Sequence, residues 1–545
     1  MSHQLFLGQL RILLKADQIV SSGKPFSDLN QSTLPQTHPA LAFIYPESAQ
    51  EVQHIVRLAN QYGVKISTSS QGRNWGYGSR SSPQENNVIL LLSRMNRILE
   101  INDQLAYAVL EPGVTYRQLR DHLEKNHPTL WSDTTDGPPD GSVIGNALDR
   151  GLGITEYSDH FGTLCGMQVV LANGEMIHTG GGLEKCPTWP THKWGVGPVT
   201  DGLFTQSNFG IVCKAGMWLM RKPSAFKSFT VDLSSDAKVL AVIDILRELS
   251  LTGVIKSATH IVNDICTLAV LAHDMPDVAK QKGRLPEEVK KLLLSKLQIP
   301  AWSFGGGLAG TKEEVASKSH QIRRAFKGLG RVTFFSDREL AGIRALINVF
   351  DSLNRVPRMQ NFFEWLVRQL LKKSMTQLRL APHIHSLTKG KPSDFFVRHA
   401  YFKSSVARPA IADPDRDHLG FIWFAPIVPM TSEHLKVVLD ICQPLFEKYD
   451  FDFYFALLVQ NSRSLICLQN IFFDRSNPAE AQRAQALYKS LTEALHDKNY
   501  QQYRVGLSGM PDLYKGNPSY QNFLNTIKVG LDPNKTLSPG KYGIE

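Results

Sequence analysis

The chain has 545 residues, a formal charge of +10 and 42% hydrophobic residues; it is too long for one ordinary core and too apolar for disorder, so two or three folded units are expected. Lys and Arg are spread along the chain with no basic tail, so no nucleic-acid partner is indicated and the surplus reads as a solvated surface with a weak leaning toward anionic ligands. Cys165, Cys186, Cys213, Cys266, Cys442 and Cys467 stand singly with no CxxC pair, which argues against zinc or any other metal site and against a disulfide scaffold, and fits a reducing, cytoplasmic setting.

In chain order, MSHQLFLGQLRILL interrupts its apolar stretch with Gln9 and Arg11, reading as a surface helix rather than a signal peptide, and no later segment is long enough to span a bilayer. In SAQEVQHIVRLANQY, Val52, Ile55, Val56 and Ala59 recur at helical spacing until Gly63 stops the pattern, and VKIST then reads as a strand. That strand runs into STSSQGRNWGYGSRSS, Ser67 to Ser82, with Gly72, Gly76 and Gly78 close together. Glycines there permit a backbone whose N–H groups cradle a phosphate. The stretch is neither a P-loop nor a GxGxxG turn, and a solvent loop is the competing reading. NNVILLLSRM, ILEINDQLAYAVLEPGVT, GMQVVLANGEMIHTG and GIVCKAGMWLMRKP read as strands and hairpins, giving an α+β unit through about residue 220.

Within that unit, DGSVIGNALDRGLGITEYSDH crowds Gly141, Ser142, Gly145, Asn146, Gly151 and Gly153 together, as a backbone wrapped closely around a flat ligand would; a tight helix crossing is the bland alternative. DGLFTQSNFGIV follows, from Asp201. Beyond Pro223 long amphipathic helices such as VLAVIDILRELS and EHLKVVLDICQPLFEKY alternate with the strand-like GFIWFAPIVP and FDFYFALLV, reading as a second α+β unit, a sheet covered by helices. The chain closes on an apolar helix, YQNFLNTIKVGL, and the turn-rich LDPNKTLSPGK.

Taken together, GRNWGYGS, MNRILEIN, YAVLEPGVTYRQL, GSVIGNALDRGLG with YSDH, GMQVVLANGE, DGLFTQSNFGIV, WFAPIVP, DRSNPAEAQRA, QYRVG and LDPNKTLSPGKYGI resemble the vanillyl-alcohol oxidase and p-cresol methylhydroxylase family of flavoenzymes. The resemblance implies an α+β flavoprotein with a PCMH-type FAD-binding domain over 1–225, an α+β cap domain over 226–500, and a segment over 501–545 that returns to the FAD domain. It assigns FAD contacts to Ser70, Gln71, Gly72, Arg73 and Asn74, to Ser142, Gly145 and Asn146, to Asp159 and His160, to Ile211 and Val212, and to Lys541.

The implied chemistry is oxidation of a para-substituted phenol, a 4-alkylphenol or 4-hydroxybenzyl alcohol, by hydride transfer from the benzylic carbon to flavin N5 through a quinone methide. Tyr77, Tyr503 and Arg504 match the family's phenolate-binding trio, and a permanently charged guanidinium is suited to lowering a phenol's pKa. Asp136 matches the acid/base aspartate near N5, with Asp133 and Asp140 left open by an insertion before Ser142.

Where relatives bond the flavin covalently, this chain has Phe421 or Ile422 at the histidine position and no tyrosine between Tyr401 and Tyr449. Noncovalent FAD is the favoured reading, with a link through His418 as the alternative. Leu465 and Ile466 stand where relatives carry histidine, which makes one pocket wall apolar. O2, giving H2O2, is the leading electron acceptor and a cytochrome c the rival; a homodimer is the expectation from relatives. An FAD or aromatic-ligand binding protein without turnover is the competing class of answer.

Overall fold

The computed structural model describes residues 2–180, 185–272, 275, 278, 283–371, 373–404 and 406–545. The helix expected after Ser48 runs Ala49–Tyr62. Ser48 accepts from the Glu51 N–H to cap its start, and Gly63, in left-handed backbone, ends it. The stripe Val52, Ile55, Val56 and Ala59 is buried in a core shared with a four-stranded sheet. That sheet contains β1 (Ile19–Val20), β2 (Ala42–Ile44), β3 (Lys65–Ser69) and β4 (Asn87–Leu91) in the order β1-β2-β4-β3. β2, β3 and β4 run parallel, so the glycine-rich loop leaves the C-terminal end of a parallel strand, where such sheets place their ligands.

The following strands are β5 (Ile98–Asn102), β6 (Tyr107–Leu110), β7 (Leu130–Trp131), β8 (Leu164–Val170), β9 (Met176–His178), β10 (Ile211–Trp218) and β11 (Met220–Arg221). Five of them form a sheet in the order β5-β6-β10-β8-β9, and β7 pairs with β11. The end of the chain returns to this part of the molecule: Ile66 N–H donates to the Thr536 carbonyl at 2.8 Å and Ser538 N–H donates to Ile66 at 2.6 Å. Lys528, fully buried, holds the turn by donating to Asp532, to the Leu537 carbonyl and to the Asn208 carbonyl at 2.7, 2.8 and 2.9 Å.

From Ala225 onward all strands belong to one nine-stranded sheet: β12 (Ala225–Leu233), β13 (His260–Asn263), β14 (Trp302–Gly310), β15 (Arg331–Phe335), β16 (Gly420–Phe424), β17 (Pro426–Pro429), β18 (Tyr454–Asn461), β19 (Ser464–Phe473) and β20 (Gln501–Gln502). Side chains alternate faces along each strand. One face packs Phe229, Ile261, Leu457, Leu465 and Cys467 under the helices Asp236–Leu251, Ser432–Lys448 and Pro478–His496. The register sets His260 opposite Leu458, Leu458 opposite Ile466 and Ile466 opposite Ile427, and this row faces the other way. The two residues that replace relatives' histidine therefore separate: Leu465 belongs to the helix-covered core, and Ile466 joins Leu152, Leu458, Leu468 and Tyr503 on the opposite face.

Candidate active site

The glycine loop is clamped at both ends of its turn. Gly76 has φ of 76°, and a Cβ there would lie 2.2 Å from the Trp423 ring, because Trp423 N–H donates to the Gly76 carbonyl across the junction with β16. Only glycine meets both demands. Ser79 donates to Asp415 at 2.9 Å, Arg80 reaches the same carboxylate at 3.4 Å, and Arg73 pairs with Asp413. Full burial pushes the Asp415 carboxyl up to about 6, against the pull of Arg80 and the Ser79 hydroxyl.

One cavity follows this loop. It is lined by Ser70, Gln71, Gly72, Arg73 and Asn74, by Ser142, Gly145 and Asn146, and by Ile211, Val212 and Lys541. Among the described residues no intramolecular hydrogen bond uses the backbone N–H of Gln71, Gly72 or Arg73, so this turn offers consecutive donors to an anionic ligand. A Cβ on Gly145 would lie 2.2 Å from Ser70 Oγ, so the two segments approach as closely as backbone permits. Ser142 caps the short helix Val143–Leu148 by accepting from Gly145 N–H, and donates to the Pro112 carbonyl. Free donors, close backbone and apolar lining at Ile211 and Val212 fit the pyrophosphate and ring systems of FAD.

Asp159 and His160 are not among the lining residues. Asp159 is spent capping a one-turn helix through Gly162 N–H. The buried His160 ring meets Asn146 Oδ1 at 2.6 Å, the Tyr116 hydroxyl at 3.1 Å and Asp133 Oδ2 at 3.1 Å. It orients Asn146 and Tyr116, which do line the cavity, from behind the wall.

At the far end of the same cavity stand Tyr77 and Arg504. The guanidinium lies 4.4 Å from the Tyr77 ring centre; it donates through Nη2 to Asn74 Oδ1 and meets Asp149 Oδ2 at 3.5 Å. Asp149 also accepts from Asn74 Nδ2 at 3.1 Å and from the Tyr542 hydroxyl at 3.0 Å. This carboxylate thus ties together the glycine loop, the QYRVG segment and the C-terminal tail, a role that sequence reasoning missed. Burial lowers the Arg504 pKa, but Asp149 and the neighbouring tyrosines more than offset it, so the group is held charged. The Tyr77 phenol is pushed well up by burial and by Tyr503, with Arg504 pulling the other way, so it remains an O–H donor. Arg504 Nε is buried without a hydrogen-bond partner, a state that proteins seldom leave unexplained.

Of the three candidate aspartates, Asp133 is consumed inside the fold: buried, it accepts from the N–H groups of Thr134, Ile154 and Thr155 as well as meeting His160. Asp140 is a surface partner of Arg117 at 2.9 Å. Asp136 alone of the three lines a second cavity, together with His260, His399 and Tyr454. Its Oδ2 is 3.8 Å from His260 Nδ1. Burial pulls both His260 and His399 down, against the raising effect of Asp136, and burial pushes the Tyr454 phenol well up. Thr135 and Pro138, on either side of Asp136, line the first cavity, so the loop 133–140 separates the two. His260, His399 and Tyr454 carry no local sequence signature and were not anticipated.

Tyr503 N–H donates to the Ala425 carbonyl at 3.1 Å, and its ring packs beside Leu152, Leu458 and Ile466. His418 lies on an exposed turn in left-handed backbone and lines neither cavity. Among the described residues no group of three or more His, Cys, Asp or Glu is arranged to hold a metal, and no helix is long and apolar enough to cross a membrane.

The first cavity and its fold define an FAD-dependent oxidoreductase. Residues 40–180 match the family model of an FAD binding domain. The chain is 34% identical over 514 residues to 1'-carboxy-chondrochloren decarboxylase from Chondromyces crocatus, covering 94% of this chain and 92% of that protein. It is 29% identical over 544 residues to the 4-cresol dehydrogenase [hydroxylating] flavoprotein subunit of Pseudomonas putida, covering 99% and 94%. Two crystal structures superpose with a TM-score of 0.86 over 100% of this chain and 97% of theirs: p-cresol methylhydroxylase with substrate bound, 28% identical, and 4-ethylphenol oxidase from Gulosibacter chungangensis with isoeugenol, 26% identical. The chain belongs to the vanillyl-alcohol oxidase and p-cresol methylhydroxylase family.

Proposed function

We propose that the chain oxidises para-substituted phenols, 4-alkylphenols or 4-hydroxybenzyl alcohols, at the benzylic carbon. The observation that carries this reading is that Arg504 and Tyr77 stand on one side of the loop 133–140 and Asp136 on the other. A phenol bridging them has its oxygen at the guanidinium and its para carbon toward the carboxyl. Arg504 favours the phenolate through charge and directed hydrogen bonds, and Tyr77 adds an O–H donor. FAD, when bound, supplies the two-electron acceptor for hydride. Loss of hydride from the benzylic carbon of a phenolate leaves a neutral quinone methide. Water then adds at that carbon, with Asp136 positioned to take the proton it releases and the ring oxygen regaining its electron pair.

A second resolution of the quinone methide is supported by the decarboxylase relative and by the apolar wall of Leu152, Leu458 and Ile466 beside Tyr503, which offers no polar side chain to a water. In that reading a carboxylate on the side chain leaves as CO2, and the electron pair of the broken C–C bond restores the aromatic phenolate. For the acceptor we favour O2, reduced to H2O2; transfer to a cytochrome c is the rival.

One experiment tests these statements. The FAD-loaded protein is mixed anaerobically with 4-ethylphenol, vanillyl alcohol and a 4-hydroxyphenyl carboxylic acid, and the flavin absorbance followed before and after admitting air. Bleaching supports phenol oxidation; recovery with peroxide supports the oxidase, and bleaching without recovery supports the cytochrome-coupled enzyme. CO2 release from the acid supports decarboxylation, and no bleaching with any of them overturns the phenol reading.

A further inference from the structure

The cavity beyond Asp136 is far larger than the chemistry at its inner end requires. It measures about 770 Å³, toward the upper part of the range of roughly 300–1,000 Å³ that binds drug-sized molecules. At about 30 Å³ per water-sized volume, it has room for roughly twenty-five such groups, whereas an ethyl substituent is two carbons.

The lining shows what fills it. From His260 and Tyr454 the chamber runs along the open face of the nine-stranded sheet toward β15 and ends under the helices Asp337–Ser352 and Met375–Thr388. Val262, Val332, Ile343, Leu346, Leu378 and Ile384 form its walls. Its charged groups are already matched. Arg331 and Lys373 share Asp232 at 3.0 and 2.8 Å, and Glu339 accepts from the Ser336 N–H at the start of its own helix. Two cations and two carboxylates leave the far end without net charge, so burial there of a charged terminus has no counter-ion to offset its desolvation.

We propose that this chamber is the subsite for the para substituent, and that the preferred substrates carry there an extended, uncharged apolar chain on the order of ten carbons long rather than a methyl or ethyl group. The inference rests on the phenol reading above: the ring held between Arg504 and Asp136 points its para position into the chamber.

The test uses the FAD-loaded protein and the 4-n-alkylphenols from ethyl through butyl and hexyl to octyl, with two separate readouts: calorimetric binding and anaerobic flavin bleaching. Dissociation constants are expected to fall about fourfold per methylene, the effect of burying one CH2. Affinity that is flat or falls beyond ethyl overturns the chamber assignment even if ethylphenol bleaches the flavin. Tight, length-dependent binding without bleaching by any member upholds the chamber and sinks the phenol reading.

Ala381, buried in the chamber wall, supplies the confirming variants. Ala381→Phe is expected to cancel the gain from hexyl to octyl, and Ala381→Leu to shift the preferred length by less. Unchanged length preference in both FAD-retaining variants overturns the assignment. Should either variant fail to retain FAD, the wild-type series decides alone.

Discussion

The Arg504 guanidinium lies 4.4 Å above the Tyr77 ring while its Nε, fully buried, has no partner within the chain. A guanidinium has five donors in a fixed fork, and only Nη2 is committed, to Asn74 and Asp149. The free donors are what a phenolate oxygen would use. Arg504→Lys keeps a charge but loses the fork. A hydrogen bond to a charged group is worth about 1.5–3 kcal/mol, so kcat/KM for a phenol is expected to fall roughly 10- to 100-fold. FAD content should be unaltered, and the kinetic pKa of the phenol should move up. An unchanged pH profile would show that Arg504 does not act on the phenol oxygen.

Tyr77 is a donor held protonated by its burial, with its carbonyl accepting from Leu507 N–H at 3.0 Å. Tyr77→Phe leaves that backbone contact and the ring packing in place and removes the hydroxyl alone. Phenol-driven flavin reduction is expected to slow about tenfold or more, with the visible spectrum of the bound flavin retained. Loss of the flavin instead would assign the hydroxyl to the cofactor.

The parts of this site that were legible in the sequence are those whose chemistry is local. Ser48, Gly63 and the stripe between them define a helix because caps and period act within a few residues. Gly76 announces a close approach because only glycine tolerates it, although which residue approaches, Trp423, lies far along the chain. Asp136, Asp133 and Asp140 look alike in sequence; three backbone N–H groups and His160 on one, and Arg117 on another, distinguish them only after folding. The flavin contacts assigned to Asp159 and His160 fail for the same reason, since a cap and a ring network absorb both side chains. His260, His399 and Tyr454 meet Asp136 through strand register and long connections, for which no short pattern exists.

Gly145 offers a direct test of the cofactor site. A methyl there would lie 2.2 Å from Ser70 Oγ and 3.0 Å from Ser142 Oγ, and forcing atoms into such a contact costs about 1–3 kcal/mol. Gly145→Ala is expected to lower FAD retention about tenfold or more, measured as the ratio of flavin to protein absorbance across a dilution series. Adding Ser70→Gly removes the first clash and should restore part of it. Full retention in the single variant would place the cofactor elsewhere.

His418 lies exposed in a left-handed turn, and Phe421 and Ile422 are buried carbons with no nucleophilic atom. The yellow colour is therefore expected to leave with the supernatant on acid precipitation, equally in the wild type and in His418→Ala. Colour retained in the wild-type pellet and lost from that of the variant would establish a His418 link.

Asp415 joins the glycine loop to the segment before β16 through Ser79 and Arg80, and burial raises its carboxyl from 3.8 to about 6. The native state therefore binds this proton more tightly than the unfolded chain does. The stability it contributes is complete below about pH 4 and is lost as pH rises through about 6. At 1.36 kcal/mol per pH unit of difference, the wild type should lose about 2 to 3 kcal/mol across that window relative to Asp415→Asn, which can still bond Ser79 and Arg80 but does not titrate. Urea midpoints measured at half-unit steps from pH 4 to 7 check this: the difference between wild type and variant should slope downward through the window and flatten above it. A difference that stays constant with pH would mean that Asp415 is ionised throughout, with the Arg80 charge outweighing the cost of burial.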